Sequence, residues 1–187
     1  MILNQDNEYT ALLDAAVLVP MCLCDTLLTL AEDPAMYRPL WSDLILQEVG
    51  HALEHKIKLT PEQCQHRITE MRKAFPEALV VPPPCLAEAL TGIPDKDDRH
   101  VLAAAIAGHA QAIVTDNIKH FPADYLAQFD ILCHSADDFL IHQFHLNPFL
   151  VLGKLDDQAI NIGLQRPDIL VTLKRVAPNF VALVEKI

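Results

Sequence analysis

Glycine is scarce in this chain, at 5 of 187 residues, while proline reaches 13. Many-turned all-β folds usually draw on more glycine than that, so helices are favoured. Basic residues are also in short supply. Lys and Arg number 14 against 25 Asp and Glu, a net charge of −11. Bulk attraction to nucleic acid is therefore excluded, because duplex binding rests on neutralising phosphates. Any such chemistry needs a local basic strip or a bound cation. A basic protein partner suits the same balance. The longest uninterrupted apolar run, Ala15 to Cys24, has ten residues and contains Pro20. A bilayer span needs about 20, so the run predicts no transmembrane helix. The N-terminus carries Asp6, Glu8 and Asp14 without a cationic start, unlike a signal peptide. The five cysteines (Cys22, Cys24, Cys64, Cys85, Cys133) form no C-x-x-C pair and no zinc-like spacing. They read as reduced core thiols of a cytoplasmic protein.

What is present is apolar: 51% of the chain, with only 21% charged, the composition of a folded domain rather than a linker. The length predicts one domain with a small appendage. Tyr9 to Leu13 reads as a short buried strand that stops at Asp14, and Pro20 to Ala31 as a helix. Leu40-Trp41 reads as a second strand. Ser42 then caps a helix to about His55, and Thr60-Pro61-Glu62-Gln63 opens another to about Phe75. Ala78 to Val81 is a strand, Pro94 to Asp98 a turn feeding a helix through Ala107, and Ala112 to Thr115 a strand. Asp130 to Cys133 is a last strand, with Ser135 capping a short helix. Strands alternating with helices predict a mainly parallel sheet with helices on both faces, a three-layer α/β/α sandwich. After Asn147 no strand signal remains. Pro148 to Leu155 and Asp168 to Ile187 read as helices, so residues 1–146 form the α/β unit and 147–187 a helical C-terminal extension.

Acids stand where a plain scaffold would not place them. Asp14 and Asp116 each follow a strand, and ligands of open α/β sheets sit outside the carboxyl ends of strands. Either Asp alone also suits a turn or a cap. Glu48 falls in line with an expected apolar stripe of Leu44, Ile45, Val49, Ala52 and Leu53. A buried carboxylate needs a partner, so either an Arg or a cation site is expected there. Asp98 aligns in the same way with Val101, Leu102, Ala105 and Ile106, although a first-turn acid also complements the helix dipole. Two carboxylates about 4 Å apart repel by about 4 kcal/mol at an effective dielectric of 20, so a cluster takes up protons unless a cation arrives. An all-oxygen set without His or Cys suits Mg²⁺ or Mn²⁺ and a phosphate-bearing substrate.

Four stretches carry a resemblance: Leu12 to Leu18, Trp41 to Glu48, Asp95 to Ala105 and Ala112 to Phe121. In this order and spacing they resemble the PIN-domain ribonucleases, especially toxins of the VapC type, over about residues 9–135. The tail is similar to an extension found in one branch. The resemblance implies Asp14, Glu48 and Asp98 as the first three acids of a catalytic Mg²⁺ or Mn²⁺ site. Asp116, Asn117 or both complete it, and His120 stands where the family has an acid. Thr115 and Ser42 become supporting residues, one orienting a water and the other bonding near the first acid. The implied activity is endoribonuclease hydrolysis of RNA, leaving a 5′-phosphate. The implied partners are a small antitoxin and a second copy of the chain.

Arg67, Arg72 and Lys73 lie in a basic run and are candidate RNA contacts; a solvated helix face is the alternative. Trp41 and Phe121 read as core. His51 and His55 are one turn apart, but Ala52 stands where a zincin has Glu. An aspartyl-phosphate phosphatase needs an acid where Ala16 stands. A receiver domain does not require a buried Glu48. A PIN scaffold that binds a partner without cutting is the remaining alternative.

Overall fold

The computed structural model describes residues 9–187. Asp6 and Glu8, on which the signal-peptide reading rests, lie outside the described residues. In chain order the elements are β1 (Thr10–Leu13), α1 (Ala15–Leu18), α2 (Met21–Ala31), β2 (Arg38–Ser42), α3 (Asp43–His55), α4 (Pro61–Ala74), β3 (Leu79–Val80) and α5 (Pro84–Ala89). Then follow α6 (Arg99–Ala107), β4 (Ala112–Val114), α7 (Ala123–Leu126), β5 (Leu132–His134), α8 (Ala136–Leu146), α9 (Pro148–Asn161), α10 (Arg166–Leu173) and α11 (Pro178–Val184).

The five strands form one parallel sheet in the order β3-β2-β1-β4-β5. The first strand in the chain is therefore the central one, with Leu13 paired to Val114 across more than a hundred residues. Strand order runs outward in both directions from β1, and right-handed crossovers then place helices on opposite faces. The result is the expected α/β/α sandwich. β1 is buried along its whole length, as a strand covered on both faces must be. Trp41 and Phe121 are both core residues, and Trp41 meets Phe75 edge-on at 6.1 Å. Gly108 ends α6 where a Cβ would stand 2.5 Å from the Leu40 side chain, so the helix end and β2 approach only because that side chain is absent.

Two of the last three helices, α9 and α11, are tied to earlier elements by polar bonds. Lys154 Nζ of α9 donates to the carbonyl oxygens of Glu32 (3.0 Å) and Asp33 (3.2 Å) just beyond α2. Thr26 Oγ1 of α2 donates to Gln158 Oε1 at 2.8 Å. Asp137 of α8 accepts from the backbone N–H groups of Asn179 and Phe180, holding the start of α11. The single helix expected over 168–187 is instead two, because Pro178 cannot continue α10 and starts α11. The cysteines also need one correction. Cys24 and Cys64 are buried, but Cys85 is exposed on α5, so the five are not all core thiols. All five are free. Burial, with Asp14 nearby, pushes the Cys133 thiol up to about 12, which keeps it inert at neutral pH.

Candidate active site

Asp14 is the centre of the site. It leaves the end of β1 and caps α1, accepting from Ala15 N–H at 2.7 Å through Oδ1. Its other oxygen, Oδ2, accepts from the Thr115 hydroxyl at 2.6 Å, just past the end of β4. The carboxyl is 4% exposed. Burial pushes its pKa up. The bonds from Thr115 and Ala15 pull it down, and the negative charges of Glu48 and Asp98 push it up again, leaving it above the ordinary aspartate range. Acids from three separate elements thus act on one another at the carboxyl edge of the sheet. Asp14 itself sits between β1 and β4, where the strand order reverses.

Glu48 is not buried, which corrects the expected stripe. α3 packs through Ile45, Leu46, Val49 and Leu53, while Leu44 is 49% exposed. The buried face is turned by about one residue, and Leu44 and Glu48 line an open hollow together with His100. Among the described residues neither an arginine nor a lysine forms a salt bridge with Glu48. His100 Nε2, from α6, meets its Oε1 at 2.9 Å, and His100 Nδ1 is buried with no hydrogen-bond partner among the described residues. Asp98 stands at the start of α6 without capping it, and its Oδ2 lies 2.5 Å from His120 Nδ1. Donor atoms of Asp95, Asp98 and His120 all fall within 4.8 Å of one another.

The two candidates for the fourth position part company. Asn117 lines a cleft of about 460 Å³ together with Asp14 and Glu48. Its N–H is held by Thr115 Oγ1 at 3.0 Å. The Asp116 carboxylate instead accepts from Ala136 N–H at 3.4 Å, at the start of α8. Thr115 positions Asp14 and Asn117 directly. The Ser42 hydroxyl accepts from Ile45 N–H at 3.3 Å, so it caps α3 rather than bonding beside Asp14.

The expected RNA face is largely spent on protein contacts. Arg67 turns inward and donates to the carbonyl oxygens of Leu18 (2.6 Å) and Val19 (3.2 Å) at the end of α1. Arg72 pairs with Asp43, and exposed Lys73 lies 3.8 Å from Glu70. His51 and His55 stack at 4.1 Å, with His51 lining the Asp14 cleft. Lys56, which begins the basic run of residues 56–73, belongs to the neighbourhood of the acids, as do His100 and Lys96, for which the sequence offers no sign. The signal for Lys56 is that it follows Glu48 and Ala52 at four-residue steps, capping the end of α3.

The donor set fits a hard divalent cation. Asp14, Glu48 and Asn117 line one cleft, Asp98 is near enough for its charge to act on Asp14, and the groups bonded to Glu48 and Asp98 are imidazoles rather than permanent cations. No helix among the described residues is long and apolar enough to cross a membrane. Over 63 residues the chain is 46% identical to a Mycobacterium tuberculosis protein named "Putative ribonuclease VapC50". That match takes in 32% of this chain and 37% of the relative's length. Residues 10–119 match the profile of a PIN domain, more than half of the chain, and the stretch contains Asp14, Glu48, Asp98 and Asn117. A central parallel sheet with an acid cluster at its carboxyl edge is thus the setting of a family assignment that sequence and fold share: the chain belongs to the PIN-domain family.

Proposed function

We propose that this protein is a divalent-cation-dependent endoribonuclease that hydrolyses RNA phosphodiester bonds, and that it is the toxin of a toxin–antitoxin pair. One observation carries the reading: within a PIN-domain stretch, buried Asp14 shares a cleft with Glu48 and Asn117, and burial together with the charges of Glu48 and Asp98 pushes its carboxyl up. An arrangement that costs stability in the free protein is what a cation site requires. Asp14, Glu48 and Asp98 would hold the ion, with Asn117 beside them and Asp116 shaping the turn that carries Asn117. When bound, Mg²⁺ or Mn²⁺ supplies positive charge against the scissile phosphate and raises the acidity of an attacking water.

The chain's own groups set the geometry. Thr115 Oγ1 and Ala15 N–H fix the Asp14 rotamer and leave lone pairs on both oxygens free for the cleft. His100 and His120 hold one oxygen each of Glu48 and Asp98. The five free thiols suit the reducing cytoplasm. A net charge of −11 suits a basic antitoxin, with the toxin itself a homodimer. A second reading, a PIN scaffold that binds without cutting, draws on His120 in place of an acid and on Asp116 facing α8.

Thermal denaturation after chelation tests the cation site. Mn²⁺ at 100 times its Kd adds about 2.7 kcal/mol, which for this size raises Tm by about 5–10 °C. No shift would remove the cation from the reading. Incubating a mixed RNA pool with Mn²⁺ and sequencing the ends separates the two readings. Cuts above those of an Asp98→Asn control support the nuclease, and their absence supports the scaffold.

A further inference from the structure

Glu48 stands on a rim between two hollows. On one side lies the cleft of about 460 Å³ with Asp14, Asn117 and Lys56. On the other, a hollow of about 400 Å³ holds His100, Asp97 and Lys96. Each hollow therefore has one lysine. Lys56 and Lys96 are both exposed, and neither forms a salt bridge among the described residues. The arginines nearby are already committed, Arg67 to backbone carbonyls and Arg72 to Asp43.

We propose that a single strand of RNA crosses α3 at Glu48, with Lys56 and Lys96 holding phosphates on its two sides. The proposal rests on the ribonuclease reading and adds to it the path of the substrate. A chain of net charge −11 repels a polyanion at long range, so the strand must be held by cations set beside the acids themselves. Two uncommitted lysines on opposite sides of one carboxylate do this without cancelling the charge that holds the ion. The wall of the larger hollow is apolar at Ala16, Val19 and Pro20, which gives an unstacked base a place to rest. Following the dip on each side of Glu48 takes a flexible backbone, which a single strand has and a duplex lacks.

The test is anisotropy of a short fluorescent single-stranded RNA, titrated in Ca²⁺ across a range of salt concentrations, with strand integrity checked on a gel. Lys56→Gln and Lys96→Gln should each weaken binding and reduce the slope of log K against log salt by about 0.7, and the double variant by about 1.4. Lys56→Arg and Lys96→Arg should keep the slope. Lys73→Gln should behave as the wild type. All variants should retain the Mn²⁺ stabilisation, which shows that fold and cation site are intact. RNA binding that survives in the double variant with the wild-type slope overturns the proposal and leaves the nuclease reading standing. So does a loss in Lys73→Gln equal to that in Lys56→Gln. A wild-type protein that binds no RNA overturns both.

Discussion

Asp14 is unfavourable where it sits. Its carboxyl is pushed above the ordinary range by burial and by two neighbouring acids, so folding favours the neutral form. The penalty is fully present above the folded pKa and vanishes as pH falls below the unfolded one. Asp14→Asn should therefore stabilise the cation-free protein at neutral pH, by of order 1 kcal/mol or about 2–4 °C in Tm. The same variant should lose the Mn²⁺ response. A Tm that falls in EDTA would refute the assigned burden on Asp14. At this scale the sequence was informative about anomalies and silent about neighbours. Asp14 and Asp98 stood out because one ends a strand and the other opens a helix in line with its buried face. Glu48 also stood out, but its burial was misjudged. At 100° per residue, a stripe shifted by one position moves a side chain from core to cleft. Lys96 and His100 carried no local signal, because their place depends on how α6 and α3 meet.

Elements were legible where their ends are chemically marked. Thr60 and Gln63 form a reciprocal capping box that starts α4, and Ser42 caps α3, both as their side chains require. The four-residue helices α1 and α7 and the six-residue α5 were missed, since so few residues show no period. The cap of α11 was also hidden. It comes from Asp137, forty-odd residues away, which receives Phe180 N–H at 2.7 Å and Asn179 Nδ2 at 2.8 Å. Asp137→Ala leaves these donors without an acceptor and should cost about 2–3 kcal/mol in urea denaturation. Loss of less than about 0.5 kcal/mol would mean that α11 is held by its apolar face alone. β5 brings a pH response. Burial, and then His142 beside it, lowers the pKa of His134, against an opposing pull from Asp138. Its neutral form is favoured by folding, so stability is retained above the ordinary histidine range and declines as pH falls through it. His134→Gln should flatten that decline between about pH 7 and 5, read as the urea midpoint at each pH.

The whole molecule is less divisible than its composition suggests. The change of character after Asn147 is real in sequence, yet α9 packs on α2 and α11 on α8. Val151, Leu155, Leu173, Phe180 and Val181 are all fully or almost fully buried. Removing each such side chain's burial costs about 1.5–3 kcal/mol, and a domain has only about 5–15 kcal/mol to lose. A chain ending at residue 146 should therefore show no cooperative thermal transition by circular dichroism. A sharp transition in that truncation would establish the extension as dispensable. The strand–helix alternation made the parallel sandwich legible, but the strand order was not, since nothing local in β1 says that it will lie in the middle.

That central position has a consequence for how the protein comes into being. β1 leaves the ribosome before the other four strands, but one of its two neighbours, β4, lies about a hundred residues downstream, and Thr115 follows it. At 5–20 residues per second, about 5–20 s separate the synthesis of Asp14 from that of its hydroxyl partner. Throughout that interval the nascent polypeptide carries the first acid without its clamp, and Asp98 and Asn117 are among the later arrivals. The pocket is complete only once residue 117 has been made, so a shorter nascent chain has Asp14 and Glu48 without Thr115 and Asn117.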